Sequence, residues 1–265
     1  MLLLASELTT GPDTMQTLAL IGAFAAAIAI ARVRARHQRI KRETPFVQIL
    51  SQSLSQYIIR IGDKQFRFEL TLPPDTIEPL FSGAAWAGTV VWPASVFLAN
   101  HIALKGSCKG ASVIELGAGV GIPGIAAGQL GARKVILTEQ PPLSELLERN
   151  VRSLCPEELR DGKYAISTLD WTEPIPNSVG EVDLILISDC IYEGLYGESW
   201  RVLAVVLDHL LTKSNRALNC VERRKEDGID RFMELCKRQY SIQSTLIQSR
   251  SSPERITELY EMRRL

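Results

Sequence analysis

The sequence predicts a doubly wound α/β domain with a mostly parallel sheet, and three observations carry that prediction. Beyond TLPPD (71–75), short apolar runs of strand length alternate with amphipathic runs of helix length, the pattern of parallel strands covered by crossover helices. The first of the apolar runs, SVIEL (112–116), leads straight into a glycine-rich turn, GAGVGIPG (117–124). The 265-residue chain is 46% hydrophobic and 23% charged, ordinary folded material for one large domain plus an appendage.

The appendage comes first. Thr14 to Ala31, TMQTLALIGAFAAAIAIA, carries no charge over eighteen residues. As a helix rising ~1.5 Å per residue it reaches ~27 Å, close to the ~30 Å hydrocarbon core of a bilayer. Six basic residues follow at once, Arg32, Arg34, Arg36, Arg39, Lys41 and Arg42. Basic residues after the apolar stretch fit a cleaved signal peptide worse than an anchor, and the lack of arginine before Arg32 fits a mitochondrial matrix presequence poorly. The expectation is a single-pass anchor over 14–31 with the body facing the cytoplasm; the alternative is a buried or interfacial helix in a soluble cytoplasmic protein. Segments 1–42, 43–87 and 88–265 are then the appendage, an extension and the main domain.

The charge balance narrows the function classes. The chain has 30 basic and 30 acidic residues, and the first 42 hold six basic and two acidic ones, leaving 24 and 28 in the body. A mildly acidic body argues against a nucleic-acid-binding domain. Five cysteines (108, 155, 190, 220 and 236) without a C-x-x-C, and three scattered histidines (37, 101 and 209), exclude a disulfide framework, a zinc site and a Ser-His-Asp arrangement. A reducing compartment and a monomer are expected.

Along the body, QYIIRIGDKQFRFEL (56–70) alternates around Gly62 and Asp63 and predicts a hairpin with strands near Tyr57 to Ile61 and Gln65 to Leu70. Then come strands SVIEL, KVILT (134–138), YAISTL (164–169), VDLILIS (182–188) and RALNCV (216–221), with helices PLSELLERNVRSL (142–154) and DGIDRFMELCKRQY (227–240) among them. Sheets of this kind bind ligands beyond the carboxyl ends of their strands, so chemistry belongs just after each strand.

Gly117, Gly119 and Gly121 let the backbone turn sharply and approach a ligand with no Cβ in the way. Gly119, Gly121 and Gly124 also satisfy the dinucleotide G-x-G-x-x-G spacing, and Glu139 stands at the end of the second strand, where a carboxylate accepts from ribose hydroxyls. Glu115, two residues before the first glycine, is unhelpful beside a pyrophosphate and useful near the cationic amino-acid end of S-adenosyl-L-methionine.

The segments GTVVWPASVFLANHI, ELGAGVGIPGIAA, TEQPPLSELLERNV, LDW and DLILISDCIY together resemble the seven-β-strand protein lysine methyltransferase family, the methyltransferase-like group that includes the methylators of heat-shock chaperones and of valosin-containing protein. The likeness runs from about Gly88 to the C-terminus. It implies a Rossmann-like class I methyltransferase sheet of order 3-2-1-4-5-7-6, with helices on both faces and an antiparallel seventh strand drawn from RITELYEMR (255–263). It also implies that Trp92 lies beside S-adenosylmethionine, that Gly117, Ala118 and Gly119 form its glycine loop, and that Glu139 holds its ribose. Trp171 would pack on the adenine and Ser188 would touch the cofactor. Asp189 and Tyr192, the D-x-x-Y of DCIY, would handle the lysine of a protein substrate, the carboxylate acting as base or orienting the amine. The bland readings are core tryptophans at Trp92 and Trp171 and a helix-capping Asp189. The chain departs from the family at its N-terminal segment and at EGLYGESW (193–200), where Gly194 and Gly197 interrupt the expected helix. Two further functions stay open on the residues: an NAD-dependent oxidoreductase, and a catalytically silent scaffold holding a partner protein at a membrane.

Overall fold

The structure, a computed structural model, describes residues 45–70, 88–176, 179–212 and 215–265. Phe46 to Leu265 form one compact unit. The expected membrane helix at 14–31 lies outside the described residues; among those described, no helix is long and apolar enough to cross a membrane.

The unit opens with a three-stranded antiparallel meander of β1 (Val47–Gln52), β2 (Gln56–Ile61) and β3 (Lys64–Glu69). The β2–β3 hairpin is the one that alternation predicts, turning at Gly62 with φ +61°. Strand β1 was not foreseen. Only Val47 of its six residues is buried, so it carries no alternating signal. Ile59, Ile61, Phe66 and Phe68 bury the inner face of the meander.

Two asparagines fasten the meander to the helices α1 (Pro93–Lys105) and α3 (Pro141–Leu154). Asn100 of α1 accepts from the Val47 amide at 2.8 Å and donates to the Val47 carbonyl at 2.9 Å. Asn150 of α3 does the same for Glu69, at 2.7 and 3.0 Å. Each amide side chain imitates a neighbouring strand and satisfies both backbone groups of one residue.

The main sheet has seven strands in the order β6-β5-β4-β7-β8-β10-β9. They are β4 (Ser112–Leu116), β5 (Lys134–Glu139), β6 (Tyr164–Thr168), β7 (Leu184–Ser188), β8 (Arg216–Arg223), β9 (Ile242–Ser251) and β10 (Ile256–Arg264). Counted within the sheet, this is 3-2-1-4-5-7-6. The pairs from β6 across to β8 are parallel, and β10 runs antiparallel to both β8 and β9. Strand β9 was missed because most of its side chains are exposed or half-exposed.

The central strands are apolar throughout because both faces are covered. Val113, Val135, Leu137, Leu184 and Leu186 point into one core with α1, α3 and α2 (Ile122–Gln129). Their neighbours Ile114, Leu116, Ile136, Ile185 and Ile187 point into the other, with α6 (Trp200–Leu210) and α7 (Ile229–Tyr240). Strand periodicity thus sends alternate residues to opposite faces. Two short helices, α4 (Pro156–Arg160) and α5 (Glu193–Tyr196), complete the described elements. The helix α5 ends at Gly197 after four residues, in the segment where glycines interrupt the sequence pattern.

Candidate active site

A cleft lies over the carboxyl ends of β4, β5 and β7, where such a sheet switches the direction of its crossovers. Of the residues singled out by sequence, the structure brings eight into its wall: Trp92, Gly117, Ala118, Gly119, Glu139, Trp171, Ser188 and Asp189. Glu115, Gly121 and Tyr192 are not among the lining residues.

The glycine turn is shaped by close approach. Gly117 has φ +62°, and a Cβ there would stand 2.8 Å from the Cys190 Sγ and 3.3 Å from the Trp171 ring. Gly119 has φ +54°, and its Cβ would meet the Gly88 carbonyl oxygen at 3.0 Å. The turn is therefore clamped between Trp171 and Cys190 on one side and Gly88 on the other, and side chains would fill the cradle.

Glu139 ends β5 with its carboxylate in the cleft wall. It is 7% exposed, and Oε2 accepts from the Gly119 amide at 3.2 Å. Burial pushes its pKa up to about 7, against the opposing pull of the Gly119 and Gln140 amides. A buried carboxylate facing a cleft is an acceptor waiting for donors. Trp171, in the Asp170–Thr172 turn beyond β6, gives the cleft a flat apolar wall.

Glu115 corrects its expected placement. It is fully buried beneath the turn, and Oε2 accepts from the Gly124 amide at 2.7 Å. The reason lies in α2, whose N-cap, Gly121 (φ +87°), has no side chain to cap the first helical amides. Glu115 supplies that acceptor from the neighbouring strand. Burial first, and then the charge of Glu139, raise its pKa to about 8. It serves the architecture of the turn and does not face the cleft.

Beyond β7, Asp189 adopts a left-handed backbone, φ +55°, uncommon for a residue with a Cβ and a mark of constrained functional turns. Its own amide donates to the Cys220 carbonyl at 2.8 Å, and Oδ1 accepts from the Glu222 amide at 3.1 Å. Both carboxylate oxygens also receive the Arg224 guanidinium, at 3.0 and 2.6 Å. That guanidinium sits 5.4 Å from the Trp92 ring centroid and 4.8 Å from that of Tyr192. Sequence reasoning passed over Arg224 because it lies past the end of β8 in a run of charges, ERRKED, that reads as solvated surface. Tyr192 enters the site through this arginine and not through the cleft wall. Cys190, a variable position of the DCIY motif, and Tyr196, in no motif, also line the cleft; both follow β7, the place where ligand-facing residues of such sheets gather.

A profile of the lysine methyltransferase family matches residues 81–239, which takes in the glycine turn, Glu139, Trp171 and the Asp189 turn. The chain belongs to this family. The methyltransferase is 36% identical over 157 residues to the protein N-lysine methyltransferase METTL21A of Danio rerio, covering 58% of this chain and 69% of that protein. It is 40% identical over 126 residues to the secreted RxLR effector protein 48 of Plasmopara viticola, covering 43% of this chain and 64% of the effector. Among solved structures, P. horikoshii TYW2 in complex with MeSAdo superposes with a TM-score of 0.52 at 14% identity, over 82% of this chain and 74% of that one. That likeness shows the fold alone.

Proposed function

We infer that the methyltransferase binds S-adenosyl-L-methionine in this cleft and transfers a methyl group to the lysine side chain of a protein. The observation that carries the reading is the meeting, at one switch point, of the tight Gly117-Ala118-Gly119 turn with the cleft-facing Glu139 carboxylate. These residues fit the cofactor: glycines at 117 and 119 let the turn pack tightly into the cleft wall, Glu139 would accept from two ribose hydroxyls, and the Trp171 ring offers a flat face to the adenine. Bound there, the cofactor supplies a methyl group activated on a sulfonium. Ser188, at the end of β7, would touch the cofactor, and Asp189, just beyond it, marks the acceptor end. A lysine of pKa ~10.4 must arrive as the neutral amine to react, and holding nitrogen, methyl carbon and sulfur in line is the main task left to the protein.

Family membership leaves the oxidoreductase alternative without support. The test is calorimetry of the full chain with S-adenosylhomocysteine and with NAD, followed by transfer of a labelled methyl group to cell-extract proteins. Binding of the first and labelling of a protein are expected. Binding of NAD alone would overturn the reading, and cofactor binding without any transfer would support the silent scaffold. The location we propose rests on the sequence: an anchor over 14–31, supported by the uncharged window and the six basic residues behind it, with the domain facing the cytoplasm.

A further inference from the structure

A cation stands behind the acceptor end of the cleft: Arg224 is not a lining residue, but it holds the carboxylate of Asp189, which is. We propose that Arg224 is a positioning residue for methyl transfer, a resident cation that occupies Asp189 and biases the incoming lysine toward its neutral form. The inference rests on the lysine-methyltransferase reading above.

Arg224 is fixed from several directions. Beyond its two bonds to Asp189, its guanidinium donates to the Glu222 carbonyl at 3.1 Å and lies 3.7 Å from the Glu222 carboxylate. Its backbone amide donates to Asp227 at 3.1 Å. The pair is enclosed, with side-chain exposures of 18% for Arg224 and 2% for Asp189, and the rings of Trp92 and Tyr192 lie within cation–π reach of the guanidinium. Breaking such a pair strands a buried charge, so displacement of Arg224 by an arriving ammonium is the less favourable course.

The consequence for the reaction is electrostatic. An unpaired Asp189 in the cleft wall would hold a lysine in its ammonium form, which has no lone pair. Paired with a fixed guanidinium, the carboxylate no longer favours a second cation, and the guanidinium itself opposes one, lowering the amine pKa. The lysine gives up one proton to water. Its nitrogen lone pair then forms the new bond to the methyl carbon as the carbon–sulfur bond breaks and that pair moves to sulfur; the methylated nitrogen, now cationic, sheds its extra proton to solvent.

Other ionisable groups surround the pair, among them Tyr192, against whose ring the guanidinium lies, and Cys220, whose thiol burial keeps protonated. Glu222 is shared with Arg255 at 3.4 Å, and Asp227 is paired with Arg223 at 3.2 Å. Burial keeps Cys190 and Tyr196 protonated. Burial raises the Glu139 pKa to about 7, and saturating cofactor removes its contribution.

The test follows labelled methyl transfer by the full chain from saturating S-adenosylmethionine into one gel-resolved band of a cell extract, as a function of pH, for the wild type, Arg224→Gln and Arg224→Lys. Affinity for S-adenosylhomocysteine is measured alongside. Arg224→Gln should keep that affinity within a few-fold while the acidic limb of the rate moves up by about one pH unit; Arg224→Lys, which keeps the charge, should leave the limb near its wild-type position. A faster Arg224→Gln enzyme with an unmoved limb would mean that the arginine is a plug the substrate displaces, and would overturn the proposal. So would an equal loss at every pH, or loss of cofactor affinity in both variants, which make the arginine purely structural. A wild type that labels no band overturns this proposal and the proposed function together.

Discussion

Glu139 and Glu115 are two buried carboxylates of the same chemistry with different tasks, set by direction alone. Glu139 looks into the cleft and Glu115 turns beneath the glycine turn to the Gly124 amide. Glu139→Ala should weaken S-adenosylhomocysteine binding by ~1–3 kcal/mol, the loss of a charged acceptor for two hydroxyls, with little change in the melting temperature. Calorimetry reads this directly, and an unchanged affinity would remove Glu139 from the site. The carboxylate must be ionised to accept from both hydroxyls, and burial raises its pKa to about 7. Protonation therefore competes with binding as pH falls: affinity should level off above about pH 8 and fall below about pH 7, by up to ~tenfold per pH unit. The same titration on Glu139→Ala should be flat. Of the two acids, sequence position located Glu139 because a strand end is a predictable place. It could not orient Glu115, since which way a buried carboxylate turns depends on a helix amide nine residues later that lacks a cap. Arg224 was hidden for a related reason: its partner Asp189 is 35 residues away and only the sheet brings them together.

At the scale of elements, the parallel strands were legible because burial on both faces makes them continuously apolar, and the Gly62 turn because alternation brackets it. Strands β1 and β9 were not, because edge strands with exposed side chains have neither signal. The meander is also held in a way that periodicity cannot show. Asn100 and Asn150 look like polar positions on helices α1 and α3, yet each pairs both backbone groups of one strand residue. Asn150→Ala would leave the amide and carbonyl of Glu69 without those partners. It should cost ~1–3 kcal/mol in urea unfolding, or roughly 2–4 °C in melting temperature for each kcal/mol. Asn150→Asp, which keeps an acceptor but loses the donor, should fall between. A cost below ~0.5 kcal/mol would mean that apolar packing of Phe66 and Phe68 alone holds the meander in place.

For the molecule as a whole, the domain and the proposed anchor before it call for separate tests. Phe46 to Leu265 fold around their own two cores, so removal of residues 1–42 should leave cofactor affinity and melting temperature unaltered. If 14–31 is an anchor, the same deletion should move the protein from the membrane pellet to the supernatant, whereas the full chain should resist alkaline carbonate. Extraction of the full chain by carbonate would contradict the anchor and leave the domain's chemistry untouched. The central claim concerns that chemistry, and one measurement reaches it most directly: label a cell extract with the full chain and methyl-labelled S-adenosylmethionine, hydrolyse the labelled protein to amino acids, and identify the residue that carries the label. Methylated lysine is the predicted result; label on arginine or on another side chain, or no label above a heat-killed control, would contradict it.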